Sequence, residues 1–212
     1  MIADASLDVR IVKLGGSLLD LADLAGVVRG WLARQPAAFN VVLVGGGRLA
    51  GAVRDYDRLH GLSDSQAHWL AIRAMELNGR LLAALLPEAV WLDSLQHAAD
   101  VGGGLAILDP YRFLREDEWS PSPLPAGWQV TSDSIAARAA EHSRAGELVL
   151  LKSALPPDPA TMAAAAAAGY VDGMFPDASR HVPRTRCVNL RDQAFPEVVW
   201  CGRTLEDGAK TE

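Results

Sequence analysis

Lys13 follows Ile11 and Val12 in an apolar run and stands directly before Leu14, Gly15, Gly16 and Ser17. Glycines let a backbone approach a phosphate closely, Ser17 adds a hydroxyl donor, and the lysine supplies a compact point charge. A plain glycine turn with a lysine snorkelling at a strand end fits the same residues. A second segment, Val44-Gly45-Gly46-Gly47-Arg48, again runs from an apolar stretch into a helical pattern. Three consecutive glycines are entropically costly, which points to a backbone that must come close to something. The third segment is Thr131-Ser132-Asp133-Ser134, coupled with Lys152 at the end of the next apolar run. Helix capping by Ser132 or Asp133 accounts for its residue types, but not for the distribution of lysine. Of 20 Lys and Arg residues only Lys13, Lys152 and Lys210 are lysines, and Lys210 sits in the tail. Phosphoryl transfer needs cations on the moving group and a carboxylate to hold those cations, and Lys13, Lys152 and Asp133 supply that set.

Several other chemistries are excluded or demoted. No GxxxxGK[ST] pattern is present, so the chain is not a P-loop NTPase. Gly45-x-Gly47-x-x-Ala50 fits the dinucleotide fingerprint, but the second strand and its terminal acid should follow where a capped helix starts at Ser63. Cys187 and Cys201 form no CxxC pair, and the five histidines are scattered, so no metal-ligand spacing appears. A net charge of -6 without a Lys/Arg-rich run argues against nucleic acid as a partner. No apolar stretch reaches membrane-spanning length and the N-terminus lacks signal-peptide features, so a cytoplasmic protein is expected.

The elements that must position these residues are βα units. Val9 to Leu14 and Val41 to Val44 read as strands, each ending in glycines and followed by a helix, over Leu21 to Leu32 with Asp20 as N-cap and over Arg48 to Leu59. Ser63 and Gln66 form a capping box for a long helix from Asp64 to about Leu86, with an apolar stripe of Ala67, Leu70, Ala71, Ala74, Met75, Leu81, Leu82 and Leu85. Asn78 on that stripe reads as a buried polar contact in a dimer interface. Val90 to Leu92, Leu105 to Leu108, Trp128 to Val130 and Leu148 to Leu151 read as further strands, and Asp133 to His142 as a helix. The alanine-rich stretch Ala160 to Ala168 reads as a helix with Asp158 as N-cap, Pro159 at its first position and Gly169 closing it; the tail from about Glu206 is expected to fray. Alternating strands and helices imply an α/β fold with a parallel sheet, and the proline-rich segment from Ser120 to Gly127 marks a soft boundary within it.

Taken in order, KLGGS at Lys13 to Ser17, VGGG at Val44 to Gly47, TSDSIAARAAE at Thr131 to Glu141 and LLKS at Leu150 to Ser153 resemble the amino acid kinase superfamily. The resemblance implies a three-layer αβα sandwich around a mainly parallel central sheet, in one domain over residues 1–212. An acceptor-binding half would cover about 1–119 and a nucleotide-binding half about 128–205, in a homodimer or higher oligomer. It further implies ATP and Mg²⁺ as cofactors, with Lys13 and Lys152 stabilising the transferring phosphoryl group and Asp133 orienting both. Gly15, Gly16, Ser17, Ser132 and Ser153 would contact ATP phosphates, and Gly45, Gly46 and Gly47 would hold the acceptor.

The segment from Gly45 to Gly79 is most similar to a branch related to uridylate kinase, the aminomethylfuran phosphate kinases of methanofuran biosynthesis. That resemblance implies a small phosphate-monoester acceptor carrying an ammonium, for which Asp57 or Asp64 could take the ammonium and Arg48 or Arg54 the phosphate. A solvated helix face with paired charges accounts for the same four residues, and His60 and His68 read as structural. Uridylate kinases continue after the second lysine with T-x-V-D-G-V-Y, whereas here Ser153-Ala154-Leu155-Pro156-Pro157 follows, and Val171-Asp172-Gly173-Met174 comes only after a helix. At 212 residues the chain is expected to be too short for a regulatory domain, which argues against a feedback-controlled aspartokinase.

Overall fold

The computed structural model describes residues 8–157 and 161–201, without the side chains of residues 99, 100 and 201. Seven strands, β1 (Val9–Leu14), β2 (Phe39–Val44), β3 (Val90–Leu92), β4 (Leu105–Leu108), β5 (Glu147–Lys152), β6 (Arg184–Asn189) and β7 (Glu197–Cys201), form one sheet in the order β3-β4-β2-β1-β5-β6-β7. All neighbours run parallel except β6 and β7. The central strands are apolar on both faces, as strands covered on two sides must be. Successive residues therefore feed two separate cores: Ile11, Val41, Leu43, Leu148 and Leu150 enter one, and Val12, Val42, Val44, Val149 and Leu151 the other.

Helices complete each core. α5 (Ser132–His142), α4 (Pro110–Asp117), α6 (Met162–Ala167) and α7 (Phe175–Ala178) supply the first core with Ile135, Phe113, Ala165 and Phe175. α1 (Leu24–Leu32) supplies Val28 and Trp31 to the second. α2 (Gly47–His60) packs on α3 (Asp64–Leu85), and α3 serves both cores, with Ile72 and Met75 in the first and Leu82 in the second. The result is the expected three-layer α/β sandwich.

Some elements differ from the sequence reading. Trp128 to Val130 is a turn, not a strand, closed by the Val130 amide donating to Gly127 O at 3.3 Å. Asp23, not Asp20, caps α1, because Gly16–Asp20 forms a 3₁₀ turn in which Asp20 ion-pairs with Arg191. Thr131, not Ser132 or Asp133, caps α5, its hydroxyl accepting from the Asp133 amide, and Thr161 caps α6; Asp158, Pro159, Ala160 and the tail from Glu206 lie outside the described residues. Leu70, Leu81 and Leu85 belong to the solvent-facing side of α3, while Ala67, Ala74, Met75 and Leu82 are buried as expected. Among the described residues no helix is long and apolar enough to cross a membrane.

Arginine does the structural work at the end of the sheet where β1 and β5 begin. Glu147 Oε2 meets Arg10 Nε at 2.7 Å and Arg186 Nη2 at 3.0 Å, while Arg186 Nε reaches Glu147 Oε1 at 2.8 Å and its Nη1 reaches Glu197 at 2.7 Å. Burial alone would raise the Glu147 carboxyl, but Arg186 and Arg10 outweigh it and hold it below the ordinary glutamate value. A carboxylate depressed in the folded state stabilises above its unfolded pKa, and that contribution is lost as pH falls through the folded value. Glu147→Gln is therefore expected to cost about 3 kcal/mol at neutral pH, since it strands buried guanidiniums. Thermal melts of the two proteins should converge as pH is lowered below about 4.5, the ordinary value for glutamate; curves that stay parallel there would rule the pairing out as a stabiliser.

Candidate active site

At the opposite end of the same strands the charge is carried by lysine. Lys13 lies opposite Leu150 in the β1–β5 ladder, and Lys152 stands two residues beyond it. With a period of two, both side chains leave the same face of the sheet, the face that α5 covers. Asp133, in the first turn of α5, lies between them. Its Oδ1 is 2.8 Å from Lys13 Nζ, and its Oδ2 accepts from Lys152 Nζ at 2.8 Å. All three side chains are nearly buried, and Lys152 Nζ also donates to Tyr170 O at 2.7 Å. Burial by itself would raise the Asp133 carboxyl, but the two ammoniums hold it below its ordinary value, and the positive end of α5 acts in the same sense. Burial, then the neighbouring Lys13 charge, push Lys152 below the ordinary lysine value, with Asp133 opposing them. The Cys187 thiol beneath is pushed up to about 12, chiefly by burial, and so stays protonated.

The start of α5 is pinned by a residue from far along the chain. Asp172 Oδ2 accepts from Thr131 N at 3.1 Å, Thr131 Oγ1 at 2.6 Å and Ser134 N at 3.2 Å, and its Oδ1 accepts from Ser134 Oγ. The Val171-Asp172-Gly173-Met174 segment thus fixes the helix turn that carries Asp133.

The two glycine turns lie against each other. Gly15 N donates to Leu151 O and Gly45 N to Leu14 O, each at 2.8 Å, so both turns hang from adjacent strand ends. A Cβ on Gly16 would lie 2.2 Å from Gly47 N, and one on Gly47 would lie 2.6 Å from Gly16 O. Gly47 also has φ +51°, a conformation that side chains disfavour. Gly45 approaches Ser132, whose Oγ would be 3.0 Å from an added Cβ. Ser17 Oγ and Ser153 Oγ are hydrogen-bonded at 2.7 Å, joining the first turn to the residue after Lys152. A cavity of about 680 Å³ borders both turns, with Gly16, Ser17, Gly47, Arg48, Asn78 and Leu81 in its wall.

The acceptor candidates are more dispersed. Arg48 is exposed, 3.9 Å from Asp20. Arg54 stacks at 4.4 Å on the Trp128 ring, and Asp57 accepts from Trp128 Nε1 at 2.7 Å, so these two meet on a residue that the sequence reading placed in a strand. Asp64 is exposed in the first turn of α3. His68 is structural: its Nδ1 accepts from Gly127 N at 3.1 Å, and burial holds the imidazole below its ordinary pKa.

No family model matches the chain. Over 133 residues it is 30% identical to the [5-(aminomethyl)furan-3-yl]methyl phosphate kinase of Methanocaldococcus jannaschii, a stretch covering 60% of this chain and 57% of that protein. Among solved structures, uridylate kinase from Archaeoglobus fulgidus is similar over 85% of this chain and 90% of its own, with a TM-score of 0.61 at 19% identity. UMP kinase from Ureaplasma parvum (TM-score 0.63, 14% identity) matches 89% of this chain and 92% of its own. Carbamate kinase from Giardia lamblia bound to AMP-PNP (TM-score 0.55, 10% identity) matches 87% and 93%. The fold is that of the amino acid kinases.

Four residues that sequence reasoning did not assign to the site touch its candidate segments: Asn78, Trp128, Tyr170 and Asp172. Asn78 lies inside the protomer, where its side chain holds the second glycine turn, rather than in a dimer contact. A buried amide on an otherwise apolar helix face was the available signal, since such a group must find a partner. Trp128 gave none, and the Val171-Asp172-Gly173-Met174 segment was visible without its partners, because those partners lie 71 and 38 to 41 residues away.

Proposed function

We propose that the protein is an ATP-dependent kinase that transfers the γ-phosphoryl group of ATP to a small phosphate monoester, giving a diphosphate. The observation that carries this reading is the Asp133 carboxylate shared by the Lys13 and Lys152 ammoniums at adjacent strand ends, beside two glycine turns. Two cations held a few ångströms apart by one buried carboxylate can neutralise charge that spreads over a transferring phosphoryl group. The first turn, with Gly15, Gly16, Ser17, Ser132 and Ser153, contacts ATP phosphates; the second, Gly45 to Gly47, receives the acceptor. Residues 1–119 then form the acceptor half and 128–205 the nucleotide half. Mg²⁺ enters as part of the MgATP substrate, held through its phosphates; Asp133 is already engaged by both ammoniums.

The acceptor we propose is [5-(aminomethyl)furan-3-yl]methyl phosphate, supported by the 30% identical relative that carries this substrate in its name. Arg54 and Asp57, joined on Trp128, offer an anion and a cation partner within one patch. Self-association is part of the reading, supported by leucines on the outer side of α3: Leu70, Leu77, Leu81 and Leu85 are 49, 59, 47 and 41% exposed. The test is ADP release from MgATP with aminomethylfuran phosphate, UMP and isopentenyl phosphate in parallel. Turnover of the first alone is expected. Turnover of another alone leaves a kinase with a different acceptor, and no ADP with any of a broad panel removes the kinase reading. Sedimentation of the protein, with Leu77→Glu as control, tests the oligomer.

A further inference from the structure

We propose that Asn78 is a positioning residue that aims the backbone amides of the second glycine turn at a bound phosphate. The inference rests on the kinase reading of that turn and adds the group that keeps the turn in shape. Asn78 Nδ2 donates to Gly45 O at 2.8 Å and to Gly46 O at 2.9 Å. Two carbonyl partners can be met only by the amide NH₂, which fixes the orientation of the side chain.

In a planar trans peptide the C=O and N–H point in opposite directions. Holding the Gly45 and Gly46 carbonyls toward α3 therefore turns the Gly46 and Gly47 N–H groups away from α3. Neither N–H has an acceptor among the described residues. Gly46 is the N-cap of α2 and brings no capping side chain, so these donors are free to meet an anion, with the positive end of a 14-residue helix behind them.

Three glycines in a row bring no side chains of their own to hold them. Gly45 N is tied to Leu14 O and Gly46 O accepts from Ala50 N at 3.0 Å, and Asn78 adds a side-chain tie to both the Gly45 and Gly46 carbonyls from a fixed position. It is 4% exposed, and the next residue, Gly79, lets α3 press close to the sheet, since a Cβ there would lie 3.3 Å from the Trp91 ring. The buried amide cannot swing to solvent, so the turn is ordered before any ligand arrives, which favours binding.

The test is an NMR titration of ¹⁵N-labelled protein with inorganic phosphate and pyrophosphate. In the wild type the Gly46 and Gly47 amides are expected to shift and saturate. In Asn78→Ala and the milder Asn78→Ser, with folding checked by circular dichroism, saturation should need about tenfold more ligand, the effect of losing one or two such hydrogen bonds, while the Ser17 amide responds as in the wild type. In turnover, the acceptor KM should rise about tenfold in the variants with the ATP KM within about twofold; a loosened fold would lower the active fraction and leave both KM values unchanged. Variants that titrate like the wild type, or wild-type Gly46 and Gly47 amides that ignore both anions, overturn the proposal. Wild-type amides that respond in a protein that makes no ADP from any acceptor remove the kinase reading and leave the role of Asn78 standing.

Discussion

Asp133→Asn is expected to lower kcat by about a thousandfold, at the upper end of what removal of one preorganised electrostatic group costs. The side chain keeps its size, so the loss is electrostatic. In the native site the carboxylate balances two nearly buried ammoniums, each 2.8 Å away. Without it Lys13 and Lys152 repel each other, and burial, which already pushes Lys152 below its ordinary value, is no longer opposed. One lysine then gives up its proton or both move apart, and either outcome removes a cation from the transferring group. Stranded buried charge should also cost about 3 kcal/mol of stability, visible in urea unfolding. ATP affinity should change far less than rate, because contacts that strengthen in the transition state act on kcat. Turnover within tenfold of wild type would mean that the three residues form a structural ion pair and do not carry the reaction.

Gly16→Ala is the second large effect, and it acts by shape alone. The added methyl would sit 2.2 Å from Gly47 N and 2.4 Å from Gly47 Cα, backbone atoms that cannot rotate aside. Either the first turn lifts from β1 or the second is pushed from β2, and both directions move the backbone donors that we propose hold the phosphates. The expected cost is about 3 kcal/mol of stability with loss of most turnover. Gly51→Ala is the control, since a Cβ there meets nothing within 4 Å and the helix should gain slightly from it. Equal behaviour of the two variants in melting and turnover would contradict the close packing of the turns.

The central strands, the long capped helix and the lysine–aspartate set were legible because each is encoded locally or by an unusual residue choice. Lys13 and Lys152 stood out against an arginine background, and their places at strand ends followed from apolar runs that stop there. What stayed hidden depended on partners distant in sequence. A cap was recognisable at Ser132 or Asp133, one or two residues past the true cap Thr131, but nothing near it announces that Asp172 holds Thr131. Trp128 looked like part of a strand because Trp-Gln-Val has strand propensity; its indole is instead drawn to Asp57, and Gly127 is held by His68. β6 was obscured because Arg184 and Arg186 break the apolar run, and both arginines turn out to serve Glu147. Leu81 and Leu85 fit the helical stripe by spacing, yet α3 passes from one core to the other along its length, so a single periodic face does not describe it.

Gly16 and Gly47 exclude side chains from one another, 31 positions apart, whatever molecule lies above them. Such a pair would outlast the chemistry it serves: a descendant that had lost catalysis, or changed its substrate, would still need both glycines to close its turns. Inheritance of the glycine motifs therefore testifies to shape. The lysines and the aspartate between them, which the fold could replace with apolar side chains, are the part of the pattern that testifies to use.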